Sequence, residues 1–235
     1  MKFSLLHPSR QRPIKSFHTI QTWLFRAGEH TDVELIVSID NDDPQKERYK
    51  ELYAGLKVIS NDNRSAIDAI NRAAEIATGD VLIVVSDDFD CPRNWAITLD
   101  RILRGRQDYL LKVNDGTQQY IVTIPIMDRV YYKRFGYIYP PQYKHMFCDT
   151  HITHLADILK CLYVRNDILF KHNHYSVLHE PKDDVAKRAD NTWHEGKKVY
   201  LDFVMRRFGL PEDVDVMELR DPEGQLHKLW LKANI

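Results

Sequence analysis

Val81-Leu82-Ile83-Val84-Val85 is an unbroken run of leucine and β-branched residues. A strand with one wet face alternates apolar and polar side chains, whereas a strand apolar at every position is covered on both faces. The run therefore requires a central strand with helices packed above and below it. The preceding segments supply them. Lys2 to Leu6 reads as a short strand, and Pro13 opens a helix at a position where its missing N–H is harmless. Phe17, Ile20 and Leu24 form the apolar stripe of that helix and Gly28 closes it. Val33 to Ile39 is a second strand, a charged helix covers about Pro44 to Tyr53, and Lys57 to Ser60 is a third strand. Ser65-Ala66-Ile67-Asp68 has the form of a capping box, with Ile67, Ile70, Ala74 and Ala77 then recurring at helical spacing up to Gly79. Trp95 to Leu103 is the next helix. This alternation predicts an α/β fold with a mixed, mostly parallel sheet flanked by helices.

The second half reads differently. Tyr109 to Val113 and Tyr120 to Met127 flank Asn114-Asp115-Gly116-Thr117 as a hairpin would. Met127 to Phe135 reads as a short helix, and Tyr137 to Phe147 as an aromatic loop. Ile152, Leu155, Leu159 and Leu162 mark an amphipathic helix, and Leu169 to Tyr175 a strand. Asp184 to Phe208 is mainly helical with an interruption near Gly196, and Lys228 to Leu231 is a last strand. With no sharp break in composition, residues 1–235 are expected to form a single domain, with one functional half at 1–113 and another at 114–235.

With 33 basic and 34 acidic side chains the net charge is −1, so nothing in the overall balance favours nucleic acid or an anionic membrane as partner. No apolar run approaches the roughly 20 residues that span a bilayer, and the apolar part of the N-terminus is short for a secretory signal. Cys91, Cys148 and Cys161 are odd in number and lack zinc-site spacing, as expected of a reducing compartment. A cytoplasmic protein without a transmembrane segment is expected, with peripheral membrane association left open.

The central strand runs directly into Ser86-Asp87-Asp88. In an open α/β sheet, ligands bind at the carboxyl ends of the strands. Adjacent acids there repel one another unless a cation is near, and Mg²⁺ and Mn²⁺ favour such oxygen ligands and bridge them to a diphosphate. A solvated acidic turn is the plainer alternative.

In order and spacing, four segments resemble the family 2 glycosyltransferases, which have the GT-A fold. Phe3 to Arg10 is similar to their first strand and nucleotide loop, and Val33 to Asp40 to their second strand with its terminal acid. Asn71 to Asp80 resembles the helix and Gly-Asp turn before their metal strand, and Val85-Ser86-Asp87-Asp88 with Pro92 their DxD region. The resemblance covers about the first 95 residues well. It departs at Val85, which stands where the first acid of DxD belongs, and at Asp40 to Pro44, where a Gly-containing turn is usual. The Q-x-x-R-W signature of processive synthases is missing.

The resemblance implies a single GT-A-type, Rossmann-like domain, and a metal-dependent, inverting, non-processive transferase of hexosyl type. Its donor would be a nucleotide-diphosphate sugar, with a UDP-sugar the first expectation, and its acceptor a sugar, glycan or other hydroxyl compound. Carried over by position, Pro8, Ser9, Arg10, Asp40, Asn61, Arg64, Ser86 and Asp87 would hold the donor. Asp87, Asp88 and His174 would hold Mn²⁺ or Mg²⁺. Asp149, before the Ile152 helix, would be the base that deprotonates the acceptor. Each has a plainer reading: Asn61 to Arg64 as a capping loop, Asp149 as a helix cap, His174 as a surface histidine. The altered DxD keeps open a GT-A-like module that binds without turnover. A sugar nucleotidyltransferase ranks last, because no glycine occurs in the loop after the first strand.

Overall fold

The Val81–Val84 strand, β4, lies in the middle of a seven-stranded sheet in a computed structural model that describes residues 1–179 and 181–216. The other strands are β1 (Lys2–Pro8), β2 (Asp32–Asp40), β3 (Lys57–Asn61), β5 (Leu110–Asn114), β6 (Ile126–Asp128) and β7 (Leu162–Leu169). Their order is β3-β2-β1-β4-β6-β5-β7. Only β6 runs against the rest, pairing antiparallel with both β4 and β5. The sheet is thus mixed and mostly parallel, as the alternation predicts. Six strands deliver their carboxyl ends to one edge.

Strand alternation divides the interior. Leu5, Val37, Val81 and Ile83 face one cluster, and Leu6, Ile36, Leu82 and Val84 face the other. The first cluster is closed by helices α1 (Pro13–Phe25), α2 (Lys46–Leu52) and α4 (Trp95–Leu103) through Ile20, Trp23, Tyr49, Trp95 and Leu99. Both indoles there are satisfied: Trp23 Nε1 donates to Phe89 O at 2.9 Å and Trp95 Nε1 to Trp23 O at 2.8 Å. The second cluster is closed by α3 (Ala66–Ile76), α5 (Arg129–Phe135), α6 (Cys148–Ile158) and α9 (Trp193–Met205). Two short helices, α7 (Tyr175–Leu178) and α8 (Asp184–Asp190), precede α9.

The second half departs from its sequence pattern at four places. β5 and β6 do pair, but residues 115–125 between them form a broad loop rather than a tight turn. Its cause is the Asp115 carboxylate, which accepts from Thr117 N and Gln118 N at 2.6 Å each and from the Thr123 hydroxyl. Leu162 belongs to β7, not to the helix before it, because the chain leaves α6 through Lys160 in the left-handed region at φ 57°. The strand expected at Leu169 to Tyr175 is accordingly β7, placed earlier, followed by an extended stretch. The break in the charged helical segment falls between α8 and α9 rather than at Gly196. Gly196 lies inside α9, where the close approach of Met146 O, 2.2 Å from where a Cβ would stand, leaves room only for glycine. The strand expected at Lys228 to Leu231 lies outside the described residues.

Candidate active site

The carboxyl ends of β1, β2 and β4 open onto a cleft of about 1870 Å³ whose far wall is the first turns of α6 and the segment around α8. Ligand loops sit at this edge because parallel strands end there together. Pro8, Ser9, Arg10, Asp40, Arg64, Ser86, Asp87, Asp88, Asp149 and His174 all line it. Asn61 does not: it is the last residue of β3, paired with Asp40 of β2, and its carbonyl accepts from Asn41 N at 2.8 Å. Asn63, two residues on, holds Asp40 instead, donating from Nδ2 to Asp40 Oδ1 at 2.9 Å.

The loop after β1 is held from beneath. His7 is fully buried and donates from Nδ1 to Val85 O at 2.6 Å, while its Nε2 accepts from Ser16 at 2.7 Å. Burial pushes its pKa down, so it is neutral and can do both. Ser9 Oγ is bonded to Tyr49 OH at 2.7 Å, and Asp43 accepts from Gln11 N and Gln45 N at 2.8 Å each. On this base Arg10 turns toward Asp40 and Asp42, contacting each at 2.5 Å. Arg64 is equally engaged, forking Asp68 at 2.8 and 2.9 Å. Neither arginine stands open for a phosphate in this arrangement.

The two acids after β4 separate. The Asp87 side chain is 7% exposed and meets Arg12 Nη1 at 3.0 Å and Lys15 Nζ at 3.7 Å. Arg12 also forks Asp183, at the start of α8, at 2.7 and 2.5 Å, and holds that carboxyl below its ordinary range. Asp88 points the other way. Its Oδ2 lies 3.3 Å from His172 Nε2, and its Oδ1 is buried with no hydrogen-bond partner among the described residues. His172 stacks on Phe89 at 4.2 Å, with the His174 ring 5.1 Å away. The stretch after β7 brings these histidines in, through Asp90 N to Lys171 O and Asn173 N to Asp88 O at 2.8 Å each. Burial pushes the Asp88 pKa up, but the His172 bond and charge outweigh it and the net shift is downward.

A carboxylate oxygen without a donor, beside imidazole nitrogen, suits a divalent cation better than it suits a hydrogen bond. Among the described residues no three His, Cys, Asp or Glu side chains form a ready-made cage. The donor set therefore fits an ion that the chain holds at few points and a ligand completes. Asp88 is the acid that meets this description. Asp87 is committed to cations of the chain itself, and His172 is the histidine in contact with Asp88 at 3.3 Å. Neither Arg12 nor Asp183 is distinguished by any motif; Arg12 differs from its neighbour Arg10 only in what the fold brings to it.

Asp149 occupies the first turn of α6, where Phe147, at φ 70°, turns the chain into the helix. It is not the cap: its carboxylate accepts only from its neighbour Thr150, from the backbone N at 2.7 Å and the hydroxyl at 3.5 Å. Desolvation raises its pKa above the usual carboxylate value. The nearby His151 is a core residue, bonded to Tyr143 OH at 3.1 Å and pushed down by burial to about 3.

A mixed, mostly parallel seven-stranded sheet flanked by helices, with a cleft at the carboxyl edge of its strands, is the architecture of the GT-A glycosyltransferases. Residues 17–162 match the family described as Glycosyl transferase family 2, and the chain belongs to that family. It is a glycosyltransferase by that membership. No curated protein sequence matches it. Solved structures agree on the fold. S. aureus TarS 1–349 in complex with UDP-GlcNAc is similar at TM-score 0.60 and 14% identity, over 99% of this chain and 79% of that one. The mannosyltransferase PcManGT of Pyrobaculum calidifontis, in complex with GDP-Man and Mn²⁺, gives 0.55 and 10%, over 99% and 79%. Glucosyl-3-phosphoglycerate synthase of Mycobacterium tuberculosis gives 0.58 and 11%, over 90% and 81%.

Proposed function

We propose that this glycosyltransferase is a single domain that moves one sugar at a time, with inversion, from a nucleotide-diphosphate donor to a hydroxyl acceptor. The observation that carries the proposal is Asp88, a half-buried carboxylate with one buried, unpartnered oxygen among the described residues and two histidines beside it, in the same cleft as Asp149, whose pKa is raised. A UDP-sugar is the first donor to test and a hexose its first sugar; UDP-GlcNAc and GDP-Man are bound by structural neighbours.

Residues 1–113 provide the donor half. Asp40, oriented by Arg10 and Asn63, meets the nucleoside, with Pro8 and Ser9 forming the floor. Lys15, half exposed beside Asp87, places a positive charge where the diphosphate would lie. Asp88 and His172, with His174 beside them, would hold Mn²⁺ or Mg²⁺ at few protein points, a role supported by the Mn²⁺ in the PcManGT complex. A divalent ion, when bound, withdraws charge from a departing diphosphate. Asp149, in the half at 114–235, accepts the proton of the acceptor hydroxyl. The acceptor oxygen forms its bond to the anomeric carbon on the face opposite the leaving diphosphate as that bond breaks, which inverts the centre. No helix among the described residues is long and apolar enough to cross a membrane, and the three cysteines are unpaired.

The test is a screen of nucleotide sugars for thermal stabilisation with and without Mn²⁺. Ligand at 100 times its Kd stabilises by about 2.7 kcal/mol, so the correct donor stands out. No shift from any donor overturns the proposal. A Mn²⁺-dependent shift with no transfer to acceptor or water assigns the chain to the binding-module alternative.

A further inference from the structure

Lys112 lies in the middle of β5, only 3% exposed. Strand alternation sends it, with Leu110, to the α6 side of the sheet, and it borders the cleft. Its Nζ reaches only two carbonyls, Gln118 O at 3.3 Å and Val113 O at 3.4 Å. These are long for bonds from an ammonium, which run nearer 2.7–2.9 Å in charge-assisted contacts. No carboxylate pairs with it among the described residues. The acid of the same turn, Asp115, is spent on Thr117, Gln118 and Thr123. A buried ammonium with no carboxylate bonded to it is costly, and burial pushes the Lys112 pKa down, although the nearby Asp115 charge acts in the opposite direction.

We propose that Lys112 seats a negatively charged group, a phosphate or carboxylate, carried by the acceptor. Position supports this source over the donor. β6 separates β5 from β4, which puts Lys112 about 10 Å along the sheet from the strand that carries Asp87 and Asp88. The donor diphosphate already has Lys15 in the proposed arrangement. Asp149, Thr153 and Asp157 follow one another at single-turn spacing on the cleft side of α6 and lead from the base toward the loop over Lys112. Thr153 ties that loop down, accepting from Val122 N at 2.9 Å. An acceptor with its hydroxyl at Asp149 therefore extends along this face, and the unpaired ammonium waits at its end. The inference rests on the glycosyl-transfer reading for the word acceptor; the anion site itself is testable apart from it.

The test is calorimetric titration of inorganic phosphate, with malonate in a parallel arm, into the full chain with UDP and Mn²⁺ in excess. The wild type should bind at least one of the two anions at a single site. K112M should bind it about tenfold or more weakly, K112R within a few-fold of wild type, and all three should bind UDP alike. K112M should also melt no lower than wild type, because it removes a buried charge without a partner. Neither anion bound by the wild type, or equal affinity in K112M, overturns the proposal and leaves the transferase reading intact. A K112M melting temperature lower by more than a few degrees also overturns it, by assigning Lys112 to the loop's own carbonyls. Anion binding without UDP binding supports the site and counts against the transferase reading instead.

Discussion

Replacing Asp149 by asparagine separates its two candidate roles, because they move different observables. The carboxylate does not cap α6; its bonds go only to Thr150. The substitution therefore removes no cap, only a first-turn charge worth about 0.3–1 kcal/mol with the helix dipole. An opposing effect exists. Burial raises the folded-state pKa of Asp149 above its unfolded value, so ionisation of this group destabilises the fold. That destabilisation is absent below the unfolded pKa, near 3.9, and complete above the folded one. The asparagine side chain of D149N never ionises, so at neutral pH the two effects offset and the net change stays within about 1 kcal/mol. For a chain of this size that is a shift of about 2–4 °C in Tm. Catalysis responds on another scale: a positioned base contributes about 10²- to 10⁴-fold. D149N should thus lose about 10²-fold or more in kcat while donor affinity and Tm hold. Wild-type kcat/KM should fall with decreasing pH through a pKa above the ordinary aspartate value, and the residual activity of D149N should lack that limb. The assay is initial-rate transfer from the donor found by the thermal screen, paired with calorimetric melting. Retention of a tenth or more of wild-type kcat refutes the assignment; so does a drop in Tm large enough to account for the lost activity by unfolding.

The two acids after β4 should give opposite results. D88N should abolish Mn²⁺-dependent donor stabilisation with little change in the melting temperature of the free protein, whereas D87A should retain much of the Mn²⁺ response but lower stability by about 1–3 kcal/mol, because it strips a buried partner from Arg12 and Lys15; metal titration followed by melting distinguishes them, and the reverse pattern returns the metal role to Asp87. G196A should destabilise by about 1–3 kcal/mol despite its better helix propensity, since the added methyl meets Met146 O at 2.2 Å, and denaturant unfolding with an unchanged or raised midpoint would contradict that packing.

Much of the donor half was legible in the chain because its signals are local. A strand buried on both faces must be apolar at every position, and Val81 to Val85 is. Ser65 caps α3 as its spacing requires, accepting from Asp68 N at 3.2 Å, although the acid of the box bonds Arg64 N rather than Ser65 N. Periodicity failed in the second half where a single side chain redirected the backbone, as Asp115 does by gathering residues 117, 118 and 123 around one carboxylate.

The sequence by itself determined the layered α/β fold, the edge of the sheet at which ligands bind, and the set of acids collected there. These depend on period, cap and strand end, which are properties of neighbours in the chain. Only the tertiary structure decided how the charges are shared. Asp87 meets Arg12, 75 residues away, and Arg12 meets Asp183 across 171; Asp88 meets His172 across 84. Arg10 and Arg64 look like phosphate ligands in the sequence and are already paired, while Lys112 looks like an ordinary strand lysine and is buried with no carboxylate bonded to it among the described residues. Coulombic partnership is settled by separations of a few ångströms and by the water excluded around them, and spacing along the chain encodes neither.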